Sequence, residues 1–223
     1  MDNIKLVIAI DGPGAAGKST VAKILARKLN YTYIDTGAMY RCLALYAYRH
    51  NIEVTNVEAL IEATNKIDIF MDETCKVFLD KEDVTLAIRT AEVTRLASPV
   101  SYPRPVRELF VEKQRTLANN AANGVVMDGR DIGTVVLPNA DIKIYQIASE
   151  KIRAKRRYEE NILKGINTPL DELEKEIAHR DYLDMNKGFG ALKKAEDAIE
   201  LDTSNMSIEE VVDFIYKKAL ELM

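Results

Sequence analysis

The stretch DGPGAAGKST, Asp11–Thr20, directly follows the apolar run LVIAI, Leu6–Ile10. The spacing G-x-x-x-x-G-K-[ST] is typical of a loop that holds the phosphates of a nucleotide between a buried strand and a helix. In this sequence the spacing is met by Gly12, Gly17, Lys18 and Ser19. The stretch therefore predicts an α/β protein that binds a nucleoside triphosphate.

Each residue type in this loop has its own chemical purpose. Glycines let the backbone turn tightly and bring its N–H groups against phosphate oxygens, and the helix that starts at Lys18 adds its positive end. Lys18 neutralises the β- and γ-oxygens, and the Ser19 hydroxyl is the predicted protein ligand of Mg²⁺. The predicted ATP-binding loop residues are Gly12, Pro13, Gly14, Ala15, Ala16, Gly17, Lys18, Ser19 and Thr20.

Outward from the loop, apolar runs alternate with helical stretches. Continuously apolar strands indicate a parallel sheet covered on both faces, so the pattern predicts a doubly wound five-stranded α/β fold. The predicted strands are Leu6–Ile10, Tyr31–Ile34, Val125–Asp128, Lys143–Ala148 and Ile199–Asp202. The predicted helices are Lys18–Leu29, Ala38–Arg49, Arg104–Ala122, Glu150–Lys164, Leu170–Asn186 and Ile208–Met223.

One section interrupts this alternation. Residues 67–85 alternate in polarity around turn-forming DET and LDKED, which predicts two or three short antiparallel strands within an insertion at 60–95. The linker GINTP at 165–169 separates two charged helices, so we expect a mobile helical lid over 150–187. All of these parts are expected to belong to a single domain, residues 1–223.

Bulk composition excludes several classes of protein. The 223 residues include 35 acidic and 31 basic ones, a formal net charge of -4, which argues against non-specific nucleic-acid binding. The two cysteines show no metal-ligand spacing and fit a reducing compartment. The sequence has no apolar run of membrane-spanning length. We therefore expect a cytoplasmic protein with neither nucleic-acid nor membrane partners.

The segment TNKID, Thr64–Asp68, contains the N-K-x-D pattern with which GTPases read guanine. That pattern should end a buried strand, yet here it follows the polar helical EALIEAT, and no D-x-x-G lies between Lys18 and Asn65. A GTPase switch is therefore disfavoured.

Four further segments carry charge where an acceptor anion could bind. DTGAMYR combines the Thr36 hydroxyl, a helix start and Arg41, although a capped helix with a solvated arginine would look the same. In GVVMDGRDIGTVVLPNAD, charges directly follow a buried strand, at the sheet edge where ligands sit. HRDYLDMNK spaces its charges at helical intervals, which an ordinary ion-pair face would also explain. The fourth segment, SPVSYPRPVREL, places arginines at a proline-rich entry into a helix. The residues concerned in the last three segments are Ser98, Arg104, Arg107, Asp128, Arg130, Asp131, Arg180, Asp184 and Lys187, of which Asp128 ends its strand as a metal-side carboxylate would.

IAIDGPGAAGKST, DTGAMYR, GRDIGTVVLPNAD and RDYLD, in this order and spacing, resemble the bacterial cytidylate kinases over nearly the whole chain. Adenylate, thymidylate and shikimate kinases match less well, since their G-[FY]-P-R, D-R-[YH] and G-G-G signatures are missing. The resemblance implies a P-loop kinase fold, ATP as the donor, Mg²⁺, and CMP with dCMP as acceptors. Family habit also suggests a monomer.

The resemblance assigns roles by position. It implies that Thr36, Arg41 and Arg130 hold the acceptor phosphate, that Ser98, Arg107 and Asp131 read cytosine, and that Arg180 and Asp184 hold the ribose. Asp131 can accept from the cytosine amine and Arg107 can donate to N3 and O2, whereas uracil mismatches both. The sequence departs from the family at Lys187, usually Arg, which loses bidentate geometry. It also departs at Gly14, which is often Ser.

The charged helix EKIRAKRRYEE carries the predicted lid arginines, although a solvated basic stripe is the alternative. Phosphoryl transfer needs alignment and cations rather than proton chemistry, so we expect no covalent intermediate and no role for His50 or His179. The predicted catalytic residues are Lys18, Arg41, Arg130, Arg153 and Arg157, with Arg156 on the ATP. A kinase for uridylate or another small acceptor, and an ATP-driven regulatory module, remain alternatives.

Overall fold

The computed structural model describes residues 4–163 and 165–223, so the predicted helix end at Lys164 lies outside the described residues. Two compact units divide the chain. The first contains the described residues up to Tyr31 together with those from Asn123 onward, and the second contains Thr32–Ala122. The phosphate loop belongs to the first unit, and the predicted insertion to the second.

Strands and helices alternate through most of the described residues. In chain order they are β1 (Val7–Asp11), α1 (Lys18–Leu29), β2 (Thr32–Asp35), α2 (Thr36–Arg49), α3 (Val57–Lys66), β3 (Ile69–Met71), β4 (Val77–Leu79), β5 (Glu82–Asp83), α4 (Ala91–Val100), α5 (Arg104–Asn119), β6 (Val125–Gly129), β7 (Ile142–Ile147), α6 (Glu150–Leu163), α7 (Leu170–Asn186), β8 (Ile199–Asp202) and α8 (Ile208–Leu220). A 3₁₀ helix at Ala87–Arg89 and a π-helical turn at Ile132–Val136 complete the list.

The main sheet has five strands in the order β2-β6-β1-β7-β8, which confirms the predicted fold class. Parallel ladders pair Val7 with Val125, and Ile8 with Ile142. β6 is buried along its whole length, and β1 at every residue but its first, as strands covered on both faces must be. Their carboxyl ends carry Asp11 and Gly129, which face each other in the ladder.

Several predicted boundaries shift by one to three residues for local reasons. α2 begins at Thr36, two residues earlier than predicted, because the Asp35 side chain caps it by accepting from the Ala38 N–H at 2.8 Å. Two helices were predicted too long: α5 ends at Asn119 rather than Ala122, and α8 ends at Leu220 rather than Met223.

The second unit contains the predicted insertion. β3, β4 and β5 form a three-stranded antiparallel sheet in which Ile69 pairs with Leu79, confirming that prediction. α4 was missed, because Pro99 lies inside its last turn and made the segment look like an irregular entry to α5. Asn65 of the rejected N-K-x-D pattern is exposed within α3, not at the end of a strand.

The two cysteines differ sharply in environment. Cys42 is fully buried in α2, and burial raises the pKa of its thiol to about 12, with the nearby Asp35 and Asp80 carboxylates adding to the effect. Cys75 is partly exposed in the turn between β3 and β4, with a left-handed φ of 64°. In the described part of the chain, no helix has both the length and the apolar character needed to span a membrane.

Candidate active site

Glycines shape the loop between β1 and α1. A Cβ on Gly12, whose φ is 151°, would lie 2.0 Å from the backbone oxygen of Gln146, so no side chain fits there. Gly17 has a left-handed φ of 90° immediately before α1. Gly14 differs, because a Cβ there would meet nothing closer than Arg130 Nη2 at 3.5 Å. The loop therefore leads directly into the N-terminus of α1, where backbone N–H groups are available to an anion.

Lys18 is the buried cation of this loop. Its ammonium donates to the backbone oxygen of Pro13 at 2.8 Å. Burial lowers its pKa to about 7, with the positive charge of Arg130 adding to the effect, against the opposing carboxylates of Asp128 and Asp11. A negatively charged polyphosphate placed against this buried ammonium would strongly stabilise its protonated form.

Ser19 contacts the end of β6. Its hydroxyl donates to Asp128 Oδ2 at 2.8 Å, and Asp128 is itself buried. Two oxygen ligands close to a predicted triphosphate are the kind of donor set that Mg²⁺ prefers, and Mg²⁺ usually keeps waters and phosphate oxygens as its other ligands. These residues fit the predicted metal, and Asp128 joins Ser19 as a candidate ligand.

Arginines of α6 contact the carbonyl groups of the phosphate loop. The Arg153 guanidinium is buried and donates to the backbone oxygens of Ala148 at 2.9 Å and Gly14 at 3.1 Å. It also pairs with Asp181 of α7 at 2.6 Å. Arg156 donates to the oxygen of Ala16 at 3.2 Å.

The predicted lid arginines therefore differ in their contacts. Arg153 and Arg156 donate to carbonyl oxygens of the loop. The Arg157 side chain is instead 30% exposed, and its Nη1 lies 3.9 Å from a carboxylate oxygen of Glu160. Sequence reasoning missed Gln146 of β7, which donates to the same Ala16 oxygen at 2.6 Å.

A charge cluster links the segment after β6 to α7. Arg130 Nε donates to Asp184 Oδ2 at 2.8 Å, and Lys187 lies 3.7 Å from the other oxygen of this carboxylate. Burial alone would raise the pKa of Asp184, but Arg130, Lys187 and Arg180 together hold it at about 2. The positive charges of three predicted substrate ligands of this unit thus act on one ionised carboxylate, which is itself a predicted ligand.

Asp131 directly precedes the π-helical turn and is 4% exposed. Asp11, at the end of β1, accepts from the backbone N–H of Ile132 at 2.8 Å and of Gly133 at 2.7 Å. Burial raises the pKa of Asp11 to about 6, and these two N–H donors oppose that rise. Asp11 was not predicted as a functional residue, because the phosphate-loop pattern begins only at Gly12.

In the second unit, Thr36 and Arg41 lie on the first turns of α2. Thr36 is buried directly after the capping Asp35. Arg41 donates from Nη1 to Thr94 Oγ1 at 2.7 Å and to the oxygen of Ile88 at 3.2 Å. These contacts hold Arg41 in place, so the alternative of a freely solvated arginine does not fit the structure.

The predicted base-reading residues of this unit lie on α4 and α5. Arg107 is 2% exposed, donates to the backbone oxygen of Ser101 at 3.2 Å, and lies 5.3 Å from the centre of the Tyr40 ring. Ser98 shares a 2.8 Å hydrogen bond with the Tyr102 hydroxyl. Burying a guanidinium costs free energy, and the hydrogen bond to Ser101 and the contact with the Tyr40 ring offset part of that cost.

Likeness to solved structures supports the fold alone. A gluconokinase from Sinorhizobium meliloti aligns with a TM-score of 0.50 at 13% identity, over 97% of this chain and 92% of that one. An uncharacterized protein from Eubacterium ventriosum aligns with a TM-score of 0.53 at 14% identity, over 96% and 98%. The fold and the phosphate loop together define a P-loop α/β nucleotide-binding protein.

Sequence relatives are more specific. The family model of cytidylate kinase matches residues 8–221. The cytidylate kinase of Bacillus cytotoxicus is 54% identical over 211 residues, 93% of each chain, and that of Bacillus subtilis is 52% identical over 214 residues, 95% of each. The chain belongs to the cytidylate kinase family, which confirms the resemblance and the prediction of a nucleoside monophosphate kinase.

Proposed function

We propose that this chain transfers the γ-phosphoryl group of ATP directly to the phosphate of CMP or dCMP. An acceptor phosphate oxygen forms the new bond to the γ-phosphorus, and the bond from that phosphorus to the leaving ADP oxygen breaks. The observation that carries the proposal is the phosphate loop with buried Lys18 and the Ser19–Asp128 pair, in a chain of the cytidylate kinase family.

On the donor side, the loop residues Gly12–Thr20 bind the ATP phosphates, and Thr20 lies exposed on the first turn of α1. Lys18 neutralises the charge that moves between the β- and γ-oxygens. Ser19 and Asp128 would hold Mg²⁺, which when bound offsets phosphate charge. Arg156 fixes the loop through Ala16 and contributes to ATP binding.

On the acceptor side, residue roles follow the family resemblance. Thr36, Arg41 and Arg130 bind the acceptor phosphate, and Arg180 with Asp184 binds the ribose hydroxyls. Lys187 adds charge near Asp184 but lacks the fork of an arginine. Ser98, Arg107 and Asp131 read the base, and their hydrogen-bonding pattern rejects uracil.

We further propose that residues 150–187 act as a lid and that residues 60–95 serve monophosphate binding within a single domain of residues 1–223. Arg157 is the partly exposed lid arginine that closes on the phosphates, and Arg153 acts from its buried position next to the loop. The protein works as a cytoplasmic monomer on small molecules.

The test measures ADP release from ATP and Mg²⁺ with CMP, dCMP, UMP or no acceptor, and identifies the product by chromatography. We expect turnover that depends on CMP or dCMP, with UMP a poor substrate. Lys18→Met, checked for folding by circular dichroism, serves as the inactive control. Equal turnover with UMP would refute the base assignment, and rapid ADP release without acceptor would favour a regulatory module.

A further inference from the structure

The carboxylate of Asp11 lies where the phosphate loop meets the segment that carries two predicted substrate ligands. Its backbone is the parallel-ladder partner of Gly129, the last residue of β6. Its side chain reaches further along the same segment, to the N–H groups of Ile132 and Gly133. Asp11 thus anchors this segment twice, through its backbone at Gly129 and through its side chain at Ile132 and Gly133. Arg130 and Asp131 are the two residues between these anchors.

The second anchor holds an unusual piece of backbone. The carbonyl of Asp131 accepts from both Val135 and Val136, at 2.9 and 3.1 Å, as in a π-helical turn. Such turns are rare and are frequently found at functional sites. Asp131 is the N-cap residue of this turn, and its side chain makes no capping hydrogen bond. The Asp11 carboxylate satisfies the first two N–H groups of the turn and therefore sets where the turn starts.

We propose that Asp11 is a positioning residue for base specificity, fixing the backbone from which Asp131 reads the acceptor base. This inference rests on the proposed function, since it requires that Asp131 contacts the base. Asp11 itself touches neither base nor phosphate in this role. A change there should reduce discrimination between cytidylate and uridylate more than it reduces turnover.

The chain offers a decisive variant and a matched control. Asp11→Asn keeps the shape but turns one acceptor into a donor facing a backbone N–H, so one of the two bonds is lost. Asp141 Oδ2 accepts from the backbone N–H of Val7 at 2.7 Å, which is another carboxylate-to-backbone bond, at the opposite end of β1. Asp141→Asn therefore makes the same carboxylate-to-amide change at a similar bond, whose single N–H the amide oxygen can still accept, without touching the Asp131 segment.

A second variant guards against a folding defect in the first. A Cβ at Gly133 would lie 3.1 Å from Lys143 Cδ, tighter than an ordinary contact, and 3.4 Å from Asp11 Oδ2. Gly133→Ala therefore strains the backbone that Asp11 holds while keeping the charge of Asp11. If Asp11→Asn fails to fold, Gly133→Ala decides the question.

The measurement is the ratio of kcat/KM for CMP to that for UMP, with saturating ATP, alongside the KM for ATP and the thermal midpoint. We expect Asp11→Asn to lower the ratio by about tenfold, Gly133→Ala to lower it less, and Asp141→Asn to leave it unchanged. A ratio that stays constant while activity on both acceptors falls together would overturn the proposal, as would an equal loss of ratio in Asp141→Asn. Failure of the proposed function itself would show in the wild type, which would then have no preference for CMP.

Discussion

Two glycines of the phosphate loop illustrate how differently the same residue type can be constrained. Gly12→Ala would drive a Cβ into the backbone oxygen of Gln146 at 2.0 Å, and a backbone carbonyl of β7 has little room to move. Gly14→Ser meets its nearest neighbour, Arg130 Nη2, at 3.5 Å, an ordinary contact. We therefore expect Gly12→Ala to destabilise by more than about 3 kcal/mol.

Gly14→Ser is the matched comparison and should change stability by less than about 0.5 kcal/mol. Urea unfolding of both variants checks the pair. A stable Gly12→Ala protein, or a severely unstable Gly14→Ser protein, would contradict the loop geometry. The absence of serine at this position is thus a change that the loop accommodates.

Asp184 is expected to stabilise the first unit through its ionised form. Because its pKa is held at about 2, below the ordinary 3.8, the folded state binds a proton less readily than the unfolded state. The contribution, about 2 kcal/mol, is present above pH 4 and is lost as the pH falls toward 2.

We expect Asp184→Asn to cost about 3 kcal/mol at pH 7, since it leaves Arg130 without its buried partner. The difference in unfolding free energy between wild type and variant should shrink between pH 4 and pH 2.5. The comparison also cancels the contribution of Asp11, which both proteins share and which has the opposite sign. Because the pKa of Asp11 is raised to about 6, its contribution to stability falls as the pH rises from about 4 to 6. A difference independent of pH would argue against the ionised pair.

At the scale of elements, α6 carries arginines with separable roles. Arg157→Ala removes a partly exposed guanidinium whose 3.9 Å pair with Glu160 contributes little to stability, so the thermal midpoint should stay unchanged. Turnover should fall by tenfold or more while CMP affinity is kept, because a cation near the transferring phosphoryl group is lost. Arg153→Ala instead breaks the buried contacts to Gly14 and Asp181, so stability should fall together with turnover.

Steady-state kinetics and thermal melting of both variants test this division. Unchanged turnover in Arg157→Ala would end its proposed lid role. Unchanged melting in Arg153→Ala would show that its buried contacts contribute nothing to stability. Leu173 and Ile177 pack α7 against Ala154 of α6, so the two helices themselves should remain associated in either variant.

For the whole molecule, the sequence predicted the fold class well because its signals are local. The glycine spacing marks a strand, loop and helix, and continuously apolar runs mark buried parallel strands. α4 escaped prediction because a proline in its last turn imitates a helix boundary. The π-helical turn escaped because IGTVV is rich in β-branched residues, which favour strands, and a carboxylate distant in sequence holds it.

The candidate site was predictable where a motif fixes position and unpredictable where only folding brings groups together. Lys18 and Ser19 follow from spacing alone. The contacts of Asp11 with Ile132, or of Gln146 with Ala16, join residues more than a hundred positions apart. No single-sequence pattern encodes such pairs.

The proposed monomer is a prediction for the whole molecule as well. Light scattering on the purified protein should give a mass near 25.1 kDa at micromolar concentration, with and without ATP and CMP. A mass of twice that value would refute it.

The two unlike cysteines give the molecule a built-in attachment point. At pH 8, a maleimide dye should react at Cys75 and spare Cys42, whose thiol stays protonated and enclosed. A fluorophore could therefore be fixed to the turn between β3 and β4 of the natural sequence, and its emission followed as substrates are added.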